Sequence, residues 1–416
     1  MAAGKFQAPR GTLDQLPGEA AARARVHHEM ARLAALRGYG HIATPIFEDT
    51  ELFARGVGES TDIVQKEMFT FEDQGGRSLT LRPEGTASVV RAYIEHGMQK
   101  LPQPVKLWYW GPFFRHERPQ AGRYRQFHQA GAELIGSDSP LVDAEAIIFL
   151  NELLRRVGLG SGAGLRLRLG SLGSVEARAG YRRLLIDYLN EHRDRLSPDV
   201  QGRIGTNPLR AFDSDDEGTR EVMAGAPLLI DHLDSADAEH FAAVRQLLDD
   251  AGVQYEIDPT LVRGLDYYTR TVFEFTCDRL GAQSGVAGGG RYDGLVEMLG
   301  GPATPAIGWA AGIERILLAL AAGEEPVKVD VFVVAADNRR EEAFRIVEQI
   351  RAEGVSADLD LAGRGFKGQM KQSNRSGAKV AVILAEDGTA RLRDIAGGGE
   401  DRDLDGDIAA AATALV

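Results

Sequence analysis

The chain has 416 residues, 44% of them hydrophobic and 26% charged; this is the balance of a water-soluble globular protein, and at roughly 100–200 residues per domain it predicts two to four domains. The formal net charge of −13 excludes a protein that holds nucleic acid by bulk electrostatics, so any RNA partner must be met by local basic patches and by shape. No apolar run approaches the ~20 residues that cross a bilayer, and Met1 to Asp14 lacks the basic segment and apolar core of a secretory signal, which predicts a cytoplasmic protein with no membrane partner.

Residues 17–38 read as an amphipathic helix, with Val26, Met30 and Leu33 at helical spacing and Gly38 to close it. His41 to Phe47 is strand-like, but Pro45 demotes it to an edge, the kind of strand that can pair across a dimer. Residues 78–82 alternate as a strand that stops at Pro83, and Glu84-Gly85-Thr86 opens a helix to about residue 96. Two longer strands follow at about 105–117 and 125–136, joined by a polar loop from Arg118 to Tyr124. A helix covers about 141–157, and the glycine-rich stretch Gly158 to Gly164 marks a boundary. Residues 175–256 read as a helical insertion in a discontinuous domain, because the strand pattern returns at 255–277. Cys277 lies in that returning pattern, which predicts a buried, inert thiol, and as the sole cysteine it can form neither an intramolecular disulfide nor a Cys-based zinc site.

Pro302 to Pro305 precedes a predicted final apolar helix at 308–322, and Gly323 to Pro326 is a short linker. Beyond it strands at 329–336, 355–360 and 379–385 alternate with helices at 339–353 and 366–376. Ala343, Ile346, Val347 and Ile350 share one helical face. The alternation predicts a small α/β domain with a mainly parallel sheet.

The hairpin has an unusual face. Side chains alternate along a strand, so Phe113, Arg115 and Glu117 share one side of the first strand, and Arg125, Phe127, Gln129, Gly131 and Glu133 one side of the second. The opposite side carries Ala130, Ala132 and Leu134, which can pack. The polar side is therefore either solvated or lines a cavity, with Gly131 leaving a gap for close approach. The connecting loop concentrates Arg115, Arg118, Arg123 and Arg125, and guanidinium forks suit phosphate oxygens.

These residues fall in an order that resembles a known family. Phe114-Arg115-His116-Glu117-Arg118-Pro119-Gln120, followed by Gly122-Arg123-Tyr124-Arg125-Gln126-Phe127-His128-Gln129, is similar to motif 2 of the histidyl-tRNA synthetases, which are class II aminoacyl-tRNA synthetases. Leu261-Val262-Arg263-Gly264-Leu265-Asp266-Tyr267-Tyr268-Thr269 and Gly288-Gly289-Gly290-Arg291-Tyr292-Asp293-Gly294-Leu295 are similar to the two histidine-specific strings, and Gly308-Trp309-Ala310-Ala311-Gly312-Ile313-Glu314-Arg315-Ile316 to motif 3. The four strings stand in family order, and the resemblance runs from Gly11 into the C-terminal domain.

The resemblance implies an α+β fold: a class II antiparallel sheet flanked by helices over residues 1–325, with the helical insertion at about 175–256, and a C-terminal α/β anticodon-binding domain over 327–416. The glycines at 288–290 are then not a dinucleotide loop, and they lack its strand–GxGxxG–helix spacing. The implied activity is ATP-dependent activation of histidine to histidyl-adenylate and transfer to the 3′ end of tRNA(His), with Mg2+ accompanying ATP. Neither step needs a protein nucleophile; both need positioning and charge stabilisation at the α-phosphate.

By resemblance, Arg115 and Arg263 act catalytically at the α-phosphate, and Arg263 also meets the histidine carboxylate. Phe127 and Arg315 sandwich the adenine, Glu117 takes its amino group and Arg123 the outer phosphates. Glu84, Thr86 and Gln129 hold the α-amino group, with Tyr267 beside them, while Glu133 and Tyr268 read the imidazole. Arg364, Lys367, Lys371, Arg375 and Lys379 form a basic patch in the C-terminal domain, although the tail from Ala396 to Asp403 is looser and more acidic than the family pattern. The family also implies a homodimer. The rival reading is a non-catalytic paralogue, the histidine-sensing regulatory subunit of ATP phosphoribosyltransferase. Such paralogues typically lack the C-terminal domain and degrade the motifs, whereas Arg115, Arg263, Arg315 and the region after residue 327 are all present here.

Overall fold

The computed structural model describes residues 6–58, 61–262, 264–281, 284–321, 328–395, 401–404 and 406–416. Arg263, the linker at 323–326 and residues 396–400 of the tail lie outside the described residues. The chain divides into two compact units, Met1–Asp14 with Ala22–Ala322 and Gln15–Ala21 with Gly323–Val416.

In chain order the first part runs α1 (Pro17–Leu36), β1 (Gly40–His41), β2 (Phe47–Asp49), α2 (Thr50–Val57), β3 (Phe69–Glu72), β4 (Ser78–Leu81), α3 (Thr86–Glu95), β5 (Val105–Phe114), β6 (Gln126–Ile135), α4 (Pro140–Arg156) and β7 (Leu165–Ser171). Then come α5 (Val175–Glu191), α6 (Pro198–Arg203), α7 (Glu217–Met223), α8 (Ser235–Asp250), β8 (Glu256–Ile257), β9 (Thr269–Cys277), β10 (Gly285–Arg291), α9 (Leu295–Met298), β11 (Ala306–Gly312) and α10 (Ile313–Ala319). Eight strands form one sheet in the order β1-β5-β6-β11-β10-β9-β7-β8. It is antiparallel from β5 to β7 and gains a parallel neighbour at each edge, β1 on β5 and β8 on β7. A three-stranded antiparallel sheet, β2-β4-β3, stands apart.

Period-2 alternation gives the large sheet two buried faces. Trp108, Ala132, Phe273 and Trp309 join Met30 and Leu33 of α1 and Phe149 and Leu153 of α4 in one core. Their strand neighbours Tyr109 and Val272, with Tyr292 just past β10, belong to a second core with Tyr93 of α3. The insertion divides between the two: Leu185, Val200 and Val222 from α5 to α7 join the second, and Phe241, Val244 and Leu248 of α8 the first. Its helices start where short polar caps satisfy open N–H groups: Ser174 accepts from Ala177 N at 3.2 Å, Ser197 from Val200 N at 3.3 Å, Asp216 from Thr219 N at 2.8 Å and Asp234 from Asp237 N at 2.8 Å. Cys277 is buried, with Sγ donating to the Ala163 carbonyl at 3.1 Å.

Three sequence expectations change. Residues 308–322 are not one helix: Ala306–Gly312 is a strand, and only Ile313–Ala319 is helical. A central strand buried on both faces is apolar throughout, so its period-2 signal is hidden. His41 to Phe47 is likewise divided, since β1 ends at His41 as the edge of the large sheet and Phe47 opens β2 in the small one. Arg82 holds the interrupted backbone between them by donating to the Thr44 carbonyl at 3.0 Å. The hairpin strands stop at Phe114 and resume at Gln126, so the connection spans residues 115–125.

The second unit carries β12 (Val331–Ala335), α11 (Arg340–Ala352), β13 (Ala357–Leu359), α12 (Phe366–Arg375), β14 (Val380–Leu384), β15 (Ala390–Asp394), β16 (Arg402–Asp403) and α13 (Ile408–Thr413). Strands β13, β12 and β14 pair in parallel, and β15 and β16 continue the sheet antiparallel. Ala343, Ile346, Val347 and Ile350 of α11 are buried against it. Lys367, Lys371 and Arg375 are exposed on α12. Arg364 is paired with Asp360 at 2.6 Å and Lys379 with Asp330 at 2.9 Å. Among the described residues no helix is long and apolar enough to cross a membrane.

Candidate active site

The centre of the large sheet is short of side chains on one face. Gly308, Ala310 and Gly312 of β11 pair with Glu133, Gly131 and Gln129 of β6, and Gly288 of β10 pairs with Ala310. The missing volume becomes a cavity of about 280 Å³. Glu84, Thr86, Arg115, Glu117, Arg123, Phe127, Gln129, Tyr267, Tyr268 and Arg315 all line it. The strand face that the sequence left open between solvent and cavity is therefore a cavity wall. Of the remaining candidates, Arg263 lies outside the described residues and Glu133 is buried beneath the wall.

The gap expected at Gly131 is filled. A Cβ there would stand 2.2 Å from Cζ of Tyr109, so the phenol ring of β5 occupies the place of a side chain. The Tyr109 hydroxyl donates to Oε1 of Glu133 at 3.4 Å; Thr86 Oγ1 donates to the same oxygen at 2.9 Å, and the Tyr292 hydroxyl donates to Oε2 at 2.6 Å. Across the strand pair, a Cβ on Gly308 would fall 1.6 Å from Glu133 Oε2, so the carboxyl fits only over glycine. Burial pushes the Glu133 pKa up from 4.5 to about 8, against the pull of these hydroxyls. Sequence reasoning assigned no role to Tyr109 or Tyr292. Tyr292 stands in one of the four strings, but Tyr109 is marked only by its register opposite Gly131.

Glu84 closes the N-terminus of α3, where its two carboxylate oxygens accept from Thr86 N and Ala87 N, each at 2.8 Å. Burial pushes its pKa up, and these bonds oppose the shift. Gln129 differs: its Oε1 is buried and has no hydrogen-bond partner among the described residues. The Tyr267 ring lies 4.7 Å from that of Tyr268 and 5.7 Å, edge-on, from that of Tyr292. This end of the cavity is thus a polar, carboxyl-rich recess walled by tyrosines.

The other end is cationic. Arg115 Nε donates to the Pro83 carbonyl at 2.8 Å, and its guanidinium stands 5.4 Å from the Phe127 ring centroid. The cation over Phe127 is therefore that of Arg115, while Arg315 Nε donates to the Gly285 carbonyl. Glu117 sits between two arginines, 3.8 Å from Arg115 and 3.2 Å from Arg123. Glu314, which sequence reasoning left without a role, lines the cavity beside Arg315. Burial raises its pKa, but bonds from His128 and the Arg23 charge outweigh that and hold it below the usual carboxylate range. Arg23 Nη1 donates to it at 3.0 Å and His128 N at 2.9 Å. Among the described residues no cluster of three or more His, Cys, Asp or Glu is placed to hold a metal ion. A recess for an ammonium group at one end and arginines at the other suit a small zwitterion beside a polyphosphate.

The protein-family model described as Histidyl-tRNA synthetase matches residues 11–316. The histidine–tRNA ligase of Desulforudis audaxviator is 50% identical over 402 residues, 95% of this chain and 95% of that protein. That of Rubrobacter xylanophilus is 48% identical over 411 residues, 95% of this chain and 96% of that protein. The crystal structure of the apo histidyl-tRNA synthetase of S. aureus superposes with a TM-score of 0.79 at 37% identity, covering 96% of this chain and 97% of that one. With the family's motifs assembled around one cavity and half of its residues shared with such relatives along nearly its whole length, the chain belongs to the histidyl-tRNA synthetase family.

Proposed function

We propose that the chain is a histidine–tRNA ligase that forms histidyl-adenylate in this cavity and passes the histidyl group to the 3′ end of tRNA(His). Gln129 carries the reading. A buried acceptor without a partner costs about 1–3 kcal/mol, and among the described residues Gln129 Oε1 is such an acceptor in the cavity wall. An α-ammonium group held with Glu84 and Thr86 supplies the donor. Tyr267 closes the recess beside it, and Tyr268 and Glu133 read the imidazole. Glu133 is held by the hydroxyls of Thr86, Tyr109 and Tyr292, so these three share in the choice. Recognition by polar groups of this kind discriminates by roughly 10⁴–10⁵ without editing.

At the cationic end Arg115 leaves the Phe127 ring for the α-phosphate, joined by Arg263, which also meets the carboxylate of histidine. Arg123 takes the outer phosphates, Glu117 the adenine amino group, and Phe127 and Arg315 the two adenine faces. The carboxylate of histidine attacks the α-phosphorus and pyrophosphate leaves; the positive charges stabilise the negative charge that develops there. Mg2+ supplies further neutralisation when it enters with ATP. The described residues hold no carboxylate cluster for a metal ion, which fits an ion held mainly by phosphate oxygens and water; Glu274 of β9, paired with Arg168 at 3.1 Å, is a carboxylate of the cavity wall that would stand near it.

The second unit meets the anticodon region of the tRNA through Lys367, Lys371 and Arg375, with Arg364 and Lys379 at the margin, and the ligase works as a cytoplasmic homodimer, which sedimentation tests. The deciding experiment is histidine-dependent ATP–pyrophosphate exchange. Exchange is expected; its absence from folded, ATP-binding protein overturns the reading and leaves the histidine-sensing regulatory subunit.

A further inference from the structure

A polar network that the proposed chemistry does not use lies next to the histidine recess. Arg291, at the end of β10, is 0% exposed. Its Nε donates to both oxygens of Asp143 on α4, at 3.1 and 3.2 Å, and Nη2 donates to Asp143 as well. Nη1 donates to the Ser137 carbonyl and to Asp293, each at 3.0 Å. Asp143 is also 0% exposed, and its Oδ2 accepts from His240 Nε2 of α8 at 2.8 Å. The network thus joins the insertion, α4 and β10. A buried ion pair of this type is often no more stabilising than apolar packing of the same volume; what it adds is a fixed direction.

The direction matters because of the next residue. Arg291 is covalently followed by Tyr292, which lies in the second core, on the other side of the chain, with its hydroxyl on Glu133. Asp293 fixes the following turn, accepting from Arg291, from Thr269 Oγ1 at 3.3 Å and from Ala306 N at 3.3 Å. Arg291 and Asp293 therefore clamp the backbone on either side of Tyr292. We propose that Arg291, Asp143 and His240 are positioning residues for histidine selection: they hold Tyr292 against Glu133, and His240 makes a helix of the insertion part of the amino-acid recess. The inference rests on the ligase reading above.

The test is pyrophosphate exchange in the full-length protein, with histidine and ATP varied separately. His240→Ala is expected to raise KM for histidine about tenfold while leaving KM for ATP within about twofold, and His240→Gln, which keeps a donor for Asp143, restores KM for histidine. In a Tyr292→Phe background His240→Ala has no further effect on KM for histidine, because coupled residues are not additive. Equal effects on both substrates, an unchanged KM for histidine, or additive losses in the double variant overturn the proposal. If the unaltered protein shows no exchange, the ligase reading fails instead, so the two failures are distinct.

Discussion

The Tyr292 hydroxyl stands 2.6 Å from Oε2 of Glu133, a carboxyl with no exposed surface whose other oxygen is bonded by Thr86 and Tyr109. Three neutral hydroxyls surround an acid that burial has pushed from 4.5 to about 8. Between those two pH values the folded chain keeps a proton that the unfolded chain has released. The group's contribution to stability is thus greatest below about pH 4.5 and falls as pH rises through about 8, by up to about 1.4 kcal/mol per pH unit. Glu133→Gln removes that contribution. Denaturant unfolding at several pH values between about 5 and 8 should show a shallower decline in the variant; parallel curves would refute the assignment.

Gly131→Ala tests the filled gap. Its methyl group would lie 2.2 Å from the buried Tyr109 ring, so the ring or the strand must move. Overpacking of this sort costs about 1–3 kcal/mol. The expected outcome is a lower Tm together with a higher KM for histidine, since Tyr109 also bonds Glu133. A wild-type Tm would mean that the ring is free to leave.

Gln129→Leu separates stability from function. Among the described residues the native amide leaves a buried oxygen unpaired, so replacing it with an apolar group of similar size removes a cost of about 1–3 kcal/mol in the ligand-free protein. Melting should occur at the same or a higher temperature, while the KM for histidine rises about tenfold or more. Loss of stability together with unchanged histidine binding would show that the amide is structural.

Arg263→His tests the residue proposed to meet both the phosphate and the carboxylate. Removing a fixed positive charge from the site of developing negative charge typically costs 10²–10³-fold or roughly more in rate. Exchange is expected to vanish while circular dichroism and Tm stay at wild-type values. A normal exchange rate would remove Arg263 from the mechanism.

Much of the recess is local in origin. Alternation along β5 and β6 is enough to place Phe127, Gln129 and Glu133 on one face, and helical spacing is enough for α4 and α11. Less local elements were harder to read. Strands β7 and β10 are not among the elements the sequence predicts, the latter because Gly285–Arg291 is mostly glycine and lacks the β-branched pattern that marks a strand. Strand β11 reads as helix in the sequence because both of its faces are buried.

What the amino-acid order determined by itself is therefore the chemistry on offer: four strings of residues in family order, a polar strand face, an arginine-rich loop and an α/β tail. Which of those groups meet was decided by register between strands far apart in the chain. Tyr109 fills the space over Gly131, Glu133 lies over Gly308, and Tyr292 reaches Glu133 from just past the end of β10, more than 150 residues away. Each of those contacts depends on one strand's offset against another, a quantity that pairing hydrogen bonds and core packing set only when the sheet closes.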